Sequence, residues 1–566
     1  MEESGIVPAR LRGVGIGSMG WSRLLQTILG SNALLLLLLA AFFAIGLGSY
    51  PLQVPDEARY SEIPREMVAT GDYVTPRLNG VKYFEKPVLF YWLQASSIKL
   101  FGFNEWSLRM WTALLALVGC VLTYQLARRL YDRPTGLAST VVLASSLLYF
   151  LMGHTITLDM AVSVFVTGML ASFLLAIRSP LPSKQRFAWS MGCYAFAAAA
   201  VLTKGLMGLL VPGAVMFLWL CLTWQWGVLR HIYFWPGTLL FFALTLPWHV
   251  LVQLKTPEFF QFYIIEQQFL RYLTDYASRY KPFWFFIPIT LIGLFPWTVF
   301  LPQALRKAWQ ERKAEPAVLF LLVWAGFIFL FFSLSKSKLV PYILPIFPAL
   351  AILIGHYLVQ TLRRAAKLNA SIYAYLLCCV GLLVALWFAP MYVEPIDPEF
   401  SQRFFKIMLC CVLASALSVL TFTIKQQTVK AIASMGVGAA VCLLVFMVSW
   451  SHLYDKTLKP VIADVMPQVR TYDVIVSYDA YFQDLPVYTE RIITVVNPRG
   501  EIRWGSTLED TSAWIVTFED FWQRWQGEQR FIVFAHARDE AAIRSQGHTI
   551  YIVYKTPRYI VFTNKE

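Results

Sequence analysis

Long apolar runs broken by short charged turns fill the first 450 residues of this 566-residue chain. A bilayer-spanning helix takes about 20 predominantly apolar residues, and that ruler divides the region into about thirteen predicted spans. They run roughly over Leu25–Tyr50, Trp106–Ala127, Thr135–Gly153, Asp159–Ile177, Phe187–Thr203, Leu206–Trp224, Tyr233–Val252 and Phe283–Leu301. The rest are Ala317–Leu334, Val340–Leu362, Ile372–Phe388, Phe405–Ile424 and Ala431–Trp450. The first is read as an uncleaved helix, because no small-residue cleavage site set in polar sequence follows it. Beyond Trp450 the pattern changes. Strand-like runs (Val474–Tyr478, Ile492–Val496, Trp514–Phe518, Phe531–Phe534, Tyr559–Phe562) alternate with polar helix-like patches at Glu519–Gln526 and Asp539–Ser545. The expected fold is a polytopic α-helical membrane protein over residues 1–450, with a C-terminal soluble α/β domain over 451–566.

Charge orients these spans. Arg10, Arg12 and Arg23 precede the first one, and Arg128-Arg129, Arg178, Arg306-Lys307, Arg363-Arg364 and Lys425 fall on the same side. The positive-inside rule makes that side cytoplasmic. An odd number of spans then puts the Asp56 loop, the Asp159 turn, the 253–281 loop, the Lys336–Lys338 turn and the tail on the outer side.

Composition agrees with a membrane solvent: 57% of residues are hydrophobic, 14% are charged and mean hydropathy is +0.55. A soluble domain carries about 25% charged residues. The net charge of +14 resides largely in short inter-span loops, which points to topology and anionic lipid and away from nucleic acid. All eight cysteines lie inside apolar runs, so neither a disulfide framework nor a cysteine metal site is read. A monomer is expected.

The candidate chemistry collects in the outward loops. Asp56-Glu57-Ala58-Arg59-Tyr60 follows the first span; Tyr83, Glu85-Lys86-Pro87 and Tyr91-Trp92 come next. Asp159, Thr203-Lys204-Gly205, Arg271 and Ser335-Lys336-Ser337-Lys338 with Tyr342 complete the set. Ionisable groups at membrane depth are expensive and usually serve a purpose. Lys86, Lys204, Arg271, Lys336 and Lys338 sit near helix mouths, where a lipid phosphate would accept charge-assisted hydrogen bonds. Arg65, Lys255 and Lys281 are read as cations that nearby Asp and Glu balance and that snorkel into the outer interface. Asp159 competes as an N-cap of the fourth span. Glu57 is expected to matter less than Asp56, since neighbouring side chains point apart. His154 and His249 are read as structural. There is no metal-ligand spacing and no Gly-rich phosphate loop. A divalent ion on Asp56 and Glu85 is the weaker alternative, and no other cofactor is expected. No matched pair of Gly- or Pro-broken helices is read, which weighs against a transporter.

These motifs together resemble the bacterial lipid A 4-amino-4-deoxy-L-arabinose transferases, polyprenyl-phosphate-dependent glycosyltransferases of the GT-C superfamily related to the protein O-mannosyltransferases. The resemblance extends over the whole chain. It implies an inner-membrane enzyme with a periplasmic site that moves the sugar from undecaprenyl phosphate to lipid A phosphates, conferring polymyxin resistance. Asp56 and Asp159 would be catalytic. Arg59, Tyr60, Tyr83, Glu85, Lys86, Lys204, Arg271, Lys336, Lys338 and Tyr342 would bind substrate. A Ser/Thr O-mannosyltransferase-like activity and a lipid or sugar transporter are the alternatives.

Overall fold

The computed structural model describes residues 32–180, 182–270, 280–364, 368–392, 398–450, 453 and 456–566. Helix α1, Asn32–Ala44, leads through a loop to α2, Asp56–Thr70, a two-stranded hairpin β1–β2 (Arg77–Leu78, Val81–Lys82) and α3, Leu89–Phe101. Glycine ends α2: Gly71 takes φ 73°, where an L side chain is strained. The helical domain continues through α4 (Glu105–Leu130), α5 (Arg133–Ala144), α6 (Leu147–His154), α7 (Leu158–Arg178), α8 (Lys184–Lys204), α9 (Met207–Thr223) and α10 (Phe234–Lys255). A π-helical segment, Gln261–Leu270, follows. Then come α11 (Phe286–Gly293), α12 (Leu301–Glu311), α13 (Pro316–Leu334), α14 (Phe347–Arg363), α15 (Asn369–Phe388), α16 (Pro398–Ile424) and α17 (Thr428–Ser449). Side chains start several of them: Asn104 and Ser107 form a capping box on α4, Asp132 caps α5 and Ser183 caps α8.

Among the described residues, eight helical stretches are long and apolar enough to cross a membrane. Helices α1 and α9 are shorter apolar ones. The predicted third and eighth spans are not straight: α5–α6 bends by 65° and the Phe283–Glu311 stretch by 107°. The sequence reading took both as single rods and saw no broken pair. The structure corrects this, and the breaks face one another. Leu147 N–H donates to Phe295 O (3.3 Å), Trp297 Nε1 donates to Ser145 Oγ (2.9 Å), and a Cβ on Gly293 would lie 2.8 Å from Leu148 Cβ. Partner groups thus take up backbone and hydroxyl valences that the breaks release. Helix α7 and the Val340–Arg363 stretch form the inner layer, 89% and 83% buried over their apolar windows. The last three spans, at 17–28%, form its periphery.

The C-terminal part carries α18 (Lys459–Val465), β3 (Val474–Tyr478), α19 (Asp484–Thr489), β4 (Thr494–Val496), β5 (Ile515–Val516) and α20 (Phe518–Trp525). It ends with β6 (Phe531–His536), α21 (Glu540–Arg544), β7 (Tyr551–Lys555) and β8 (Tyr559–Thr563). The sheet order is β5-β4-β3-β6-β8-β7, parallel from β5 to β6 and antiparallel thereafter. This domain seats on α2 and the hairpin. Asn79 exchanges two hydrogen bonds with the Ile493 backbone (2.9 and 3.0 Å), and Glu509 meets Arg77 and Lys82.

Candidate active site

Helix α2 begins with two carboxylates, where unpaired backbone N–H groups favour negative charge. One residue of helical rotation sends them apart. Glu57 turns inward and is fully buried against Arg109 of α4. All five donor positions of that guanidinium are used: Nε and Nη2 on Glu57 (2.9 and 2.7 Å), Nη1 on Leu47 O and Tyr50 O, and Nη2 on Pro51 O. Glu57 also accepts from Gln53 N–H and Ile156 N–H. The pair therefore ties the end of α1, the start of α2, α4 and the strand entering α7 into one joint. Its satisfied geometry is what makes a buried ion pair tolerable. The two neighbouring side chains do point in different directions, and burial gives Glu57 a structural part that the sequence reading did not assign to it.

Asp56 stays half exposed and pairs with Arg59 one turn along. Arg59 also pairs with Glu501 of the C-terminal domain and lies 4.9 Å from the ring of Tyr60. Tyr60 and Tyr91 rings approach to 6.2 Å. The buried hydroxyls of Tyr83 and Tyr91 have no hydrogen-bond partner among the described residues. Burial, reinforced by nearby acids such as Glu85, raises the phenols of Tyr60, Tyr83 and Tyr91 well above their usual value, so they are donors at any physiological pH. The negative charges of Asp56, Glu85 and Asp159 all help to raise the Tyr60 phenol.

The second centre is built by α7 and α8. Asp159 sits in the first turn of α7, whose N-cap position is Thr157, so it is not itself the cap. It pairs with Lys204, the last residue of α8 before Gly205 ends that helix at φ 80°. Lys204 Nζ also lies 4.6 Å from the ring centroid of Tyr342, in the 3-10 segment Val340–Ile346. These groups share a cavity lined by Lys86, Gln267, Ser335 and Ser337 together with Val162, Val166, Val211 and Phe332. A cavity lined by both ammoniums and hydrocarbon suits a phosphate carried on a lipid chain.

The other candidates are distributed around this frame. Lys86 Nζ donates to the carbonyl of Glu85 (3.1 Å) and faces the cavity. Lys336 is exposed. Lys338 is buried, with its ammonium on the carbonyl oxygens of Lys281 (2.9 Å) and Ser335, so its charge is spent on the turn. Arg271 lies outside the described residues. Arg65 is balanced by a neighbouring acid, the buried Glu62 (2.7 Å). Lys255 reaches Asp72 (3.2 Å). His154 hydrogen-bonds the carbonyls of Phe150 and Ile45, and His249 that of Thr245. Among the described residues no three His, Cys, Asp or Glu side chains gather as metal ligands, and Asp56 with Glu85 gains no third. The sequence reading missed Arg109, whose charge in an apolar run was a usable signal. It also missed Gln267 and Glu501, which carried none.

Known proteins are similar to this chain in sequence and in fold. Residues 85–250 match the family described as dolichyl-phosphate-mannose-protein mannosyltransferase, and residues 460–564 the aminoarabinose transferase C-terminal domain. Two solved structures of ArnT from Cupriavidus metallidurans, apo and bound to undecaprenyl phosphate, superpose with TM-scores of 0.84 and 0.82 at 27% identity. They cover 97% of this chain and 98–99% of theirs. The undecaprenyl phosphate-alpha-4-amino-4-deoxy-L-arabinose arabinosyl transferase of Aeromonas hydrophila is 35% identical over 62% of this chain, an alignment spanning 64% of that relative's length. Transferase 1 of Pseudomonas fluorescens is 30% identical over 88% of this chain and 90% of its own. With that near-complete alignment and the bent, many-spanned GT-C architecture beneath it, the chain belongs to the family of undecaprenyl phosphate-aminoarabinose arabinosyl transferases.

Proposed function

We propose that the protein transfers 4-amino-4-deoxy-L-arabinose from undecaprenyl phosphate to phosphate groups of lipid A, and so lowers bacterial affinity for polymyxin and other cationic peptides. The observation that carries this reading is the cavity lined by Lys86, Lys204 and Asp159 together with apolar side chains, taken with the Asp56–Arg59 pair. The bond from the anomeric carbon to the donor phosphate breaks, and an acceptor phosphate oxygen forms the new one. Lys86 and Lys204 neutralise the departing polyprenyl phosphate. The acceptor is already anionic near neutral pH, because a phosphomonoester's second pKa is about 6. Asp56 therefore serves more by opposing positive charge at the anomeric carbon than by removing a proton. Asp159 holds Lys204 in place, and the phenols of Tyr60, Tyr83 and Tyr91 with Glu85 form the sugar's polar wall. Tyr342 packs on Lys204, while Lys336 and Arg271 supply outer positive charge. The protein works as a monomer in the inner membrane, with the site and the C-terminal domain on the periplasmic side. The O-mannosyltransferase match over residues 85–250 concerns the shared helical part, and the aminoarabinose C-terminal domain favours the sugar named here. Mass spectrometry of lipid A from cells with and without this chain tests the reading. Aminoarabinose-modified lipid A should appear only with the chain, and identical spectra would refute the assignment.

A further inference from the structure

One segment of the C-terminal domain reaches into the helical domain's site. Residues 500–507 form two 3-10 turns, Gly500–Ile502 and Gly505–Thr507, joined through Arg503 and Trp504. Trp504 stacks on Phe262 with ring centroids 3.5 Å apart and planes within 11°, and meets Phe84 edge-on at 6.2 Å. Gly505 abuts the hairpin so closely that a Cβ would lie 2.1 Å from Lys82 O. This seat brings Glu501, whose side chain is 10% exposed, onto Arg59. Gln483 Nε2 donates to the other oxygen of Glu501 at 3.2 Å. Arg59 thereby holds two carboxylates at once, Asp56 through Nη2 and Glu501 through Nη1. A guanidinium is a rigid planar fork, so fixing one prong fixes the direction of the other.

We infer that Glu501 is a positioning residue for the transfer reaction: by clamping Arg59 from the C-terminal domain, it fixes the direction in which Arg59 presents Asp56 to the sugar. The inference rests on the function proposed above, because it takes Asp56 as a reacting-centre group. It makes the C-terminal domain a part of the site and not only a cap on it. Glu501 itself touches no substrate. The charged and titratable groups that act on Arg59 include Asp56, Glu501, Tyr60, Tyr83, Tyr91 and Tyr481. Of these, Glu501 and Tyr481 belong to the C-terminal domain, and Glu501 is the one that pairs with the guanidinium.

The test uses the full-length protein in lipid nanodiscs with polyprenyl-phosphate aminoarabinose and lipid A. Glu501→Gln keeps shape and hydrogen-bonding capacity but removes the charge. Its kcat should fall about tenfold to a hundredfold, the cost of one charge-assisted hydrogen bond felt at the transition state. Donor KM should stay within about twofold. Glu501→Asp should recover part of the rate. Arg59→Gln combined with Glu501→Gln should be no slower than Arg59→Gln alone, because both changes cut the same link. Hydrogen exchange of the amides at residues 56–60 should quicken in Glu501→Gln while the sheet of the C-terminal domain stays protected. Unchanged kcat, additive losses, or a uniform rise in exchange across the whole domain would each overturn the inference. A wild-type protein that transfers no aminoarabinose would instead count against the proposed function. The exchange measurement would still read the clamp in that case.

Discussion

A carboxylate in the first turn of a helix gains from the unpaired N–H groups there and again from whichever cation it meets. Asp56 and Glu57 share the first gain and differ in the second. Glu57 meets a guanidinium that is fully buried and satisfied, so Glu57→Gln should cost about 3–5 kcal/mol of stability through an uncompensated Arg109. The expected readout is a lowered melting temperature and poor membrane accumulation. Asp56→Asn, half exposed at a surface pair, should leave melting unchanged and remove transfer with donor binding intact. Parallel melting curves and turnover assays on the two variants separate the roles; equal, mild losses in both would strip Asp56 of its assignment. Lys86→Ala should weaken donor binding by about 1.5–3 kcal/mol, read as the dissociation constant for undecaprenyl phosphate, and an unchanged constant would remove Lys86 from the phosphate. The sequence made Asp56, Asp159, Lys86 and Lys204 legible as candidates because charge at membrane depth is conspicuous. It ranked Glu57 below Asp56 because adjacent side chains point apart, but it could not show that Glu57 is the one facing inward, since that depends on the helix packed beside them. Lys338 shows the same limit from the other side: its charge was visible, but not the carbonyls that hold it.

At the scale of elements, hydrophobic length located the spans but not their breaks. The bend after Ala144 is marked only by two serines, and the one after Gly293 by Pro296; both residue types also occur inside straight spans. In the C-terminal domain the buried strands were legible as apolar runs. Strand β7 was not picked out, although its Tyr551-Ile552-Val553-Tyr554 run is as apolar as the others; it lies at a sheet edge with its side chains mostly exposed. The contact between α2 and the C-terminal domain holds a feature that no pattern reports. Glu66, buried beside Glu62, accepts from Gly80 N–H with one oxygen, and the other oxygen has no partner among the described residues. Burial and then the Glu62 charge push its carboxyl up to about 8. An acid whose pKa is raised by folding binds more protons in the native state. Stability from this group is therefore greatest below its unfolded value and is lost as pH rises towards 8. Glu66→Gln should raise the melting temperature at pH 8 and change it little at pH 4. A thermal-denaturation series across that range checks the sign, and equal effects at both ends would contradict the assigned protonation.

For the whole molecule, the question is which face of the membrane carries the assembled site. Among the described residues eight helices and two bent pairs have the length and composition of a span, α1 and α9 are shorter apolar helices, and α8, read as the fifth of about thirteen spans, is not among them. The C-terminal domain packs on α2, the hairpin, Phe84 and Phe262, so Asp56 and the tail share one side. Short-loop cations gather at the opposite ends of the helices: Arg128 and Arg129 close α4, Arg178 closes α7, and Arg363 closes α14. The positive-inside rule puts those ends in the cytoplasm. A donor whose phosphate enters between Lys86 and Lys204 would then be met from the periplasmic leaflet. A reporter active only outside the cytoplasm, fused after Glu566, should be active, and one fused after Arg364 should be silent. A fluorescent protein that matures only in the cytoplasm should give the reverse pattern. Both reporters must agree, because a misfolded fusion can silence one but cannot activate the other. Cytoplasmic fluorescence from the fusion at Glu566 would invert the molecule, and with it the leaflet from which the donor is taken.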